Sequence, residues 1–290
     1  MSNILDAIMN IINDGTFEAS RTKSTENSIN RVGDSLEEYI KDAFSNSFKL
    51  KNKERDEAMQ DYILYHGNAK NPPDIITRGD DGIVIEVKKS DYYRAKLHLN
   101  SSMPHSTFNS QDLRITKECK KLLGDKEWDM LYVVGAFEKK KIRHLAMVYG
   151  SVYCAETSKY QQVDSFVRGK VGEIKAWLIK NIPTAEFDTE SNELGKLKNI
   201  DPRGCCDLRI RGMYTYKSPY VIFNQEFNSS EDIFDLFVVI PDDIFQKFKN
   251  KEEFLKFVKN NRDISIEKVD YLDPNDNKEV ISCQKIIYKK

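Results

Sequence analysis

Asp74, Glu86 and Lys88 are the residues whose types and spacing could do chemistry. They stand in the text Pro73-Asp74, eleven intervening residues, then Glu86-Val87-Lys88. The run from Ile83 to Lys88 reads as a strand, and alternation places Val84, Glu86 and Lys88 on one face, with Ile83, Ile85 and Val87 on the other. Ile75-Ile76-Thr77 reads as its partner, joined through Gly79-Asp80-Asp81-Gly82 in a β-hairpin. With residues 79–81 as a three-residue loop, Arg78 faces Gly82 and Asp74 faces Glu86 on the same side of the sheet. A two-residue loop at Asp80-Asp81 instead puts Asp74 opposite Val87, on the other face unless a bulge intervenes. If the three residues converge, two carboxylates supply the usual protein share of a Mg²⁺ site, the other oxygens coming from water and a phosphate. Such an ion acidifies water and offsets charge building on a phosphodiester under attack. Lys88 could orient that water, or act as a base if its pKa is lowered. The chemistry is phosphodiester hydrolysis.

A helix upstream must help to position this group. Residues 28–44 carry Ile29, Val32, Leu36, Tyr39, Ile40 and Ala43 at helical spacing. On a 100° wheel Glu37 lies roughly 100° from the centre of that apolar arc and Glu38 about 160° away, so Glu37 flanks the core and Glu38 is expected to face water. Asn30 and Gly33 share the flank with Glu37, the glycine permitting close backbone approach.

Further elements suggest a mixed α/β fold. Met130–Phe137 and Leu145–Tyr149 read as strands, residues 160–180 as a helix, Asp207–Arg211 and Ile233–Ile240 as strands, and Asp243–Asn260 as a helix with Ile244, Phe245, Phe248, Phe254 and Phe257 available for its buried face. The 290 residues show no repeat or long linker, so one domain spanning 1–290 is expected, with 225–290 an extension of unknown role packed on its core. No apolar run approaches the roughly 18 residues that span a bilayer, and the first residues lack a secretory pattern. A cytoplasmic location without membrane contact is the expectation. Five cysteines with no C-x-x-C pair point to reduced thiols rather than to zinc.

Taken together, Pro73-Asp74, Glu86-Val87-Lys88 and the helix carrying Gly33-x-x-x-Glu37 resemble the PD-(D/E)XK nuclease superfamily. The blocks Asn30-Arg31-Val32-Gly33-Asp34-Ser35-Leu36-Glu37-Glu38-Tyr39-Ile40-Lys41-Asp42, Asn71-Pro72-Pro73-Asp74, Glu86-Val87-Lys88-Lys89, Leu99-Asn100-Ser101-Ser102, Leu145-Ala146-Met147-Val148-Tyr149-Gly150 and Leu208-Arg209-Ile210-Arg211-Gly212-Met213 are similar, more specifically, to the NgoPII-like type II restriction endonucleases. These blocks run from residue 30 to about 213; nothing after about 225 takes part in the resemblance. It implies a central mixed sheet flanked by helices and a Mg²⁺-dependent enzyme cutting both DNA strands at a short palindrome, GGCC, to leave 5′-phosphate ends. By position it makes Asp74 and Glu86 the metal ligands, Lys88 the water-orienting base and Glu37 the helix acid, with Glu38 in reserve. A companion DNA methyltransferase is expected in the same cell. A structure-specific or repair nuclease on the same core, and a DNA-binding protein with a spent site, are the alternatives; the intact Asp74, Glu86 and Lys88 set argues against the latter.

For reading DNA, arginines suit G·C pairs in the major groove. Arg209 and Arg211 alternate with Leu208 and Ile210 and are candidate readers. Asn100, Ser101, Ser102 and His105 form a polar stretch after the active-site strand, suited to phosphate or base-edge contacts. Lys89, Arg94, Lys96, Arg114 and Lys117 are candidates for the DNA backbone. A palindromic target suits a two-fold homodimer. The formal charge of −1 is a cancellation: residues 86–143 hold 13 Lys and Arg against 8 Asp and Glu, residues 193–217 hold 6 against 3, and residues 226–279 hold 8 against 14. A surface polarised between a basic and an acidic side is expected.

Overall fold

The computed structural model describes residues 2–19, 28–68, 71–99, 103–112, 115–138, 141–182, 186–188, 195–198, 208–210, 214–225, 234–276 and 278–290, with the backbone alone for 28–34, 186–188, 195–198 and 208–210. The chain opens with three helices, α1 (Ile4–Asp14), α2 (Ser28–Ser45) and α3 (Asn52–Tyr62). The strands β1 (Ile63–Asn68), β2 (Asn71–Thr77), β3 (Val84–Ser90), β4 (Leu97–Leu99) and β5 (Thr107–Phe108) follow, then α4 (Lys117–Leu123), β6 (Trp128–Glu138) and β7 (Lys141–Tyr149). Next come α5 (Gly150–Tyr153), α6 (Thr157–Asn181), β8 (Glu186–Asp188), β9 (Gly195–Lys198), β10 (Leu208–Ile210), β11 (Tyr214–Tyr216) and α7 (Pro219–Ile222). The chain ends with β12 (Asp235–Pro241), α8 (Asp242–Phe245), α9 (Lys251–Asn260), β13 (Ile264–Leu272) and β14 (Val280–Lys289).

A nine-stranded sheet in the order β1-β2-β3-β6-β7-β12-β14-β13, with β5 beside β6, forms the centre. It is mixed: β3 runs parallel to β6 and β7 parallel to β12, while the other pairs are antiparallel. Burial follows position in the sheet. Every residue of β12 (Asp235-Leu-Phe-Val-Val-Ile-Pro241) is buried, as for a strand covered on both faces. Edge strand β13 mixes buried or half-buried residues with exposed ones, as for a strand with a solvated side. Two small sheets, β10-β9-β8 and β11-β4, stand apart from it. Among the described residues no helix is long and apolar enough to cross a membrane.

Helix α1 begins with a capping box, in which the Asn3 side chain accepts from the backbone of Leu5 and Asp6 while Asp6 accepts from the Asn3 N–H. It ends at Gly15, whose φ of 66° is the left-handed cap that glycine takes without strain. The Asn250 side-chain amide donates to Asp6 Oδ1 at 2.7 Å, and Asn3 donates to Asn250 Oδ1 at 2.8 Å, so the start of α1 is tied to the start of α9. That tie accompanies a departure from the single helix expected over Asp243–Asn260. The chain turns between α8 and α9, burying Phe245, Phe248 and Phe254, while Asn250 at the turn serves α1.

Helix α2 lies against the sheet. A Cβ on Gly135 of β6 would come within 2.7 Å of the Leu36 side chain, so glycine is what lets this helix approach. On its other side α2 meets α3 through buried charge. Glu38 is 3% exposed, with Lys41 Nζ at 3.0 Å and Arg55 Nη2 at 2.8 Å; Arg55 Nε also lies 2.8 Å from Asp42 Oδ1. Burial pulls the Arg55 pKa down, but the hydrogen bonds and charges of Asp42 and Glu38 outweigh it and the net shift is upward. Arg55→Ala would leave two buried carboxylates short of a cation, and is expected to destabilise the fold by about 3 kcal/mol or more in denaturant unfolding.

Candidate active site

Thr77 donates its backbone N–H to Ile83 O, Ile76 pairs with Val84, and Ile75 pairs with Ile85. One step further along this register Asp74 stands beside Glu86, the arrangement of the three-residue loop. Backbone pairing stops there, and a side chain takes the next rung: Asp74 Oδ2 accepts the Val87 N–H at 2.7 Å. The carboxylate is thereby fixed at the point where β2 leaves β3.

Glu86 and Lys88 project together from β3 by alternation. Lys88 Nζ lies 2.6 Å from Glu86 Oε1 and 3.9 Å from Asp74 Oδ2, so the ammonium bridges the two carboxylates. The side chains of Glu86, Asp74 and Lys88 are 5%, 15% and 25% exposed, grading from the sheet interior toward solvent. Beneath Glu86, its register partner Tyr132 on β6 is fully buried.

Burial, and then the charge of Glu86, push the Asp74 carboxyl up to about 8; Lys88 and the Val87 N–H oppose the shift, and Glu37 adds to it. The Lys88 ammonium is pulled down by burial but raised further by Glu86 and Asp74, and its net pKa is higher than that of a free lysine. In the metal-free site the Lys88 pKa is raised and not lowered, so the condition for the lysine to serve as a base is not met there. It enters the site as a cation and hydrogen-bond donor.

Helix α2 brings Glu37 near enough for its charge to act on both Asp74 and Lys88. Glu38 does not face water as the wheel suggests; it is locked between Lys41 and Arg55 beneath α3. The wheel counted only the face turned to the sheet, whereas α2 is covered on two sides. Arg55, which anchors this end of the helix, gave no signal in the sequence, because an ion pair 17 residues away leaves no periodic trace.

The residues expected at DNA divide. His105 is buried at 2% exposure, its Nε2 2.6 Å from Asp112 Oδ2, with its backbone N–H donating to Tyr132 Oη at 2.8 Å. It fastens its loop to the sheet, and burial overturns the expectation of a DNA contact. A Cβ on Gly150 would strike the carbonyl oxygens of Ser106 and His105 at 2.5 and 2.6 Å, so the same loop presses on the start of α5. Lys89 is partly exposed, with Asp91 at 3.2 Å; Arg94, Lys96 and Lys117 are exposed. Asn100, Ser101, Ser102, Arg114 and Arg211 lie outside the described residues. Arg209 sits on β10, in register with Lys196 of β9, which is in turn in register with Asp188 of β8. Cys119, Cys154 and Cys283 are buried and unbridged, and burial pushes each thiol up to about 12, away from nucleophilic or ligand roles.

Comparison with known proteins bears on this geometry. The family model described as NgoPII restriction endonuclease matches residues 2–271. The chain belongs to the NgoPII restriction endonuclease family. It is similar to the type II restriction enzyme NgoPII of Neisseria gonorrhoeae, with 34% identity over 288 residues covering 99% of both chains. No solved structure matches. Membership makes this chain a restriction endonuclease, a hydrolase of the nuclease class, and the mixed sheet flanked by helices accords with it. The family match also runs past residue 225, where the sequence blocks stop, through β12 and α9 and into β13.

Proposed function

We propose that this member of the NgoPII restriction endonuclease family is a type II enzyme of the PD-(D/E)XK kind, hydrolysing both strands of double-stranded DNA at the palindrome GGCC with Mg²⁺. The observation that carries the reading is the bridge of Lys88 between Glu86 and Asp74, at 2.6 and 3.9 Å, on two strands whose pairing ends there.

The donor set fits the ion. Among the described residues no three His, Cys, Asp or Glu side chains gather into a cage. Mg²⁺ needs none, because it keeps several waters and binds through one or two carboxylates together with substrate phosphate. Asp74 and Glu86 would hold it, with Glu37 on α2 completing the acidic surround. When bound there, the ion supplies a more acidic water and offsets negative charge on the phosphodiester. The chain's own part is positional and electrostatic. The Val87 N–H holds Asp74 in place. Lys88, kept protonated by its two carboxylates, presents an ammonium to the attacking water and to the charge building on the phosphate. Water oxygen bonds to phosphorus and gives up a proton to solvent, the bond from phosphorus to the 3′ oxygen breaks, and that oxygen takes a proton from solvent, leaving a 5′-phosphate and a 3′-hydroxyl.

Arg209 and Arg211 remain the proposed readers of guanine; Lys89, Asn100, Ser101 and Ser102 are the proposed contacts along the duplex. A homodimer, one subunit per strand, matches the symmetry of the site, and a companion methyltransferase protects the host DNA. Incubated with a plasmid, the chain is expected to give discrete bands when Mg²⁺ is present and none in excess chelator. Smearing, cutting confined to branched DNA, or binding without cutting would overturn the reading.

A further inference from the structure

Helix α6 exposes an apolar stripe that the described residues leave uncovered. Only Val171 of its 25 residues is buried, and the side turned to the chain includes Tyr160, Val167, Val171 and Leu178, all buried or half-buried. Roughly 80° round the helix, Val163, Phe166, Ile174 and Trp177 are 56%, 69%, 52% and 63% exposed. Four large apolar side chains on one strip of a surface mark an interaction site.

The spacing says what kind. Val163, Phe166, Lys170, Glu173 and Trp177 advance by three, four, three and four, the seam of a two-helix coil. Lys170 and Glu173 stand in the middle of that seam, both exposed, their charged atoms 2.7 Å apart. If a second copy of α6 lies antiparallel about a two-fold axis between Val171 and Gly172, Lys170 of each copy meets Glu173 of the other. Phe166 meets Trp177. A parallel pair would instead set Lys170 against Lys170. Charge complementarity thus selects the antiparallel arrangement, and the pattern that α6 complements is its own.

We propose that α6 is a self-association surface, pairing antiparallel with α6 of a second copy of this chain. The link to cutting two strands of a palindrome rests on the proposed function; the pairing itself rests on the helix.

Sedimentation of the full chain without DNA, across a micromolar concentration series, tests it. Wild type is expected to be dimeric and the double variant Phe166→Glu with Trp177→Glu monomeric. Lys170→Glu and Glu173→Lys, at exposed positions that keep the fold, are each expected to weaken the dimer by about tenfold, because two symmetric ion pairs become repulsive. Combining the two reversals restores it. A monomeric wild type, a dimer indifferent to the Phe166 and Trp177 changes, or a combined reversal no better than the single ones would overturn the proposal. A dimer that does not cut DNA would overturn the nuclease reading and leave this one standing; a monomer that cuts would do the reverse.

Discussion

Lys88→Ala is expected to lower single-turnover DNA cleavage by on the order of 10²–10³ or more, the loss seen when one preorganised donor is removed from charge developing in a transition state. Affinity for the duplex, read by fluorescence anisotropy without Mg²⁺, is expected to stay near that of wild type. The physical reason is local. Lys88 Nζ is 2.6 Å from Glu86 Oε1 and 3.9 Å from Asp74 Oδ2, a cation set between the two carboxylates. Removing it takes away the donor to water and phosphate and leaves two carboxylates facing each other. Lys88→Arg keeps the charge but spreads it over a planar fork that a site shaped for a point charge does not match, so only partial activity is expected. Undiminished cleavage by Lys88→Ala would refute the assignment of the site.

Asp74→Asn is expected to abolish cleavage and yet raise the melting temperature of the metal-free protein at pH 8. The sign follows from the carboxyl pushed up from its ordinary value near 4 to about 8 by burial and by Glu86. A carboxyl whose pKa is raised on folding binds its proton more tightly in the native state. The stability this contributes is full below about pH 4 and is lost as pH rises through about 8. Wild type without metal therefore loses stability over that range on account of Asp74, while the asparagine, which can still accept the Val87 N–H, does not. The two proteins are expected to melt close together at pH 4 and to part as pH rises, the variant higher by a few degrees. A variant that melts lower than wild type at pH 8 would contradict this. The same proton must leave before Asp74 can hold a cation, so wild-type cleavage at limiting Mg²⁺ is expected to rise between pH 6 and pH 8.

Much of this site was legible in the residue pattern because it is built from local geometry. Alternation alone puts Glu86 and Lys88 on one face, and of the two hairpin loops open to Gly79-Asp80-Asp81-Gly82, the structure takes the one that sets Asp74 beside Glu86. The helix wheel ranked Glu37 above Glu38 and the structure brings Glu37 toward the site, but for Glu38 the wheel failed. Its burial depends on α3, a helix with one buried side chain, Met59, and hence no apolar period to betray where it docks. Helix α1 was readable and missed: Asn3 and Asp6 form a capping box, Gly15 ends the helix, and Ile4, Leu5, Ile8, Ile11 and Ile12 line one face. The final hairpin, β13 with β14, was not readable as part of the central sheet, since its place beside β12 is set by pairing between distant segments. His105 shows the opposite hazard, for a polar residue in a loop after a catalytic strand looks like a ligand contact until a buried partner such as Asp112 is seen.

The claim on which the account turns is that this chain cuts DNA at a defined sequence with the group on β2 and β3. Sequencing both ends of every fragment released from a long DNA of known sequence in Mg²⁺ tests it most directly. The account predicts that each end falls at a GGCC, carries a 5′-phosphate, and disappears from the digest when Lys88→Ala replaces wild type. Ends scattered without a common sequence, or the same ends produced by the Lys88→Ala protein, would contradict it.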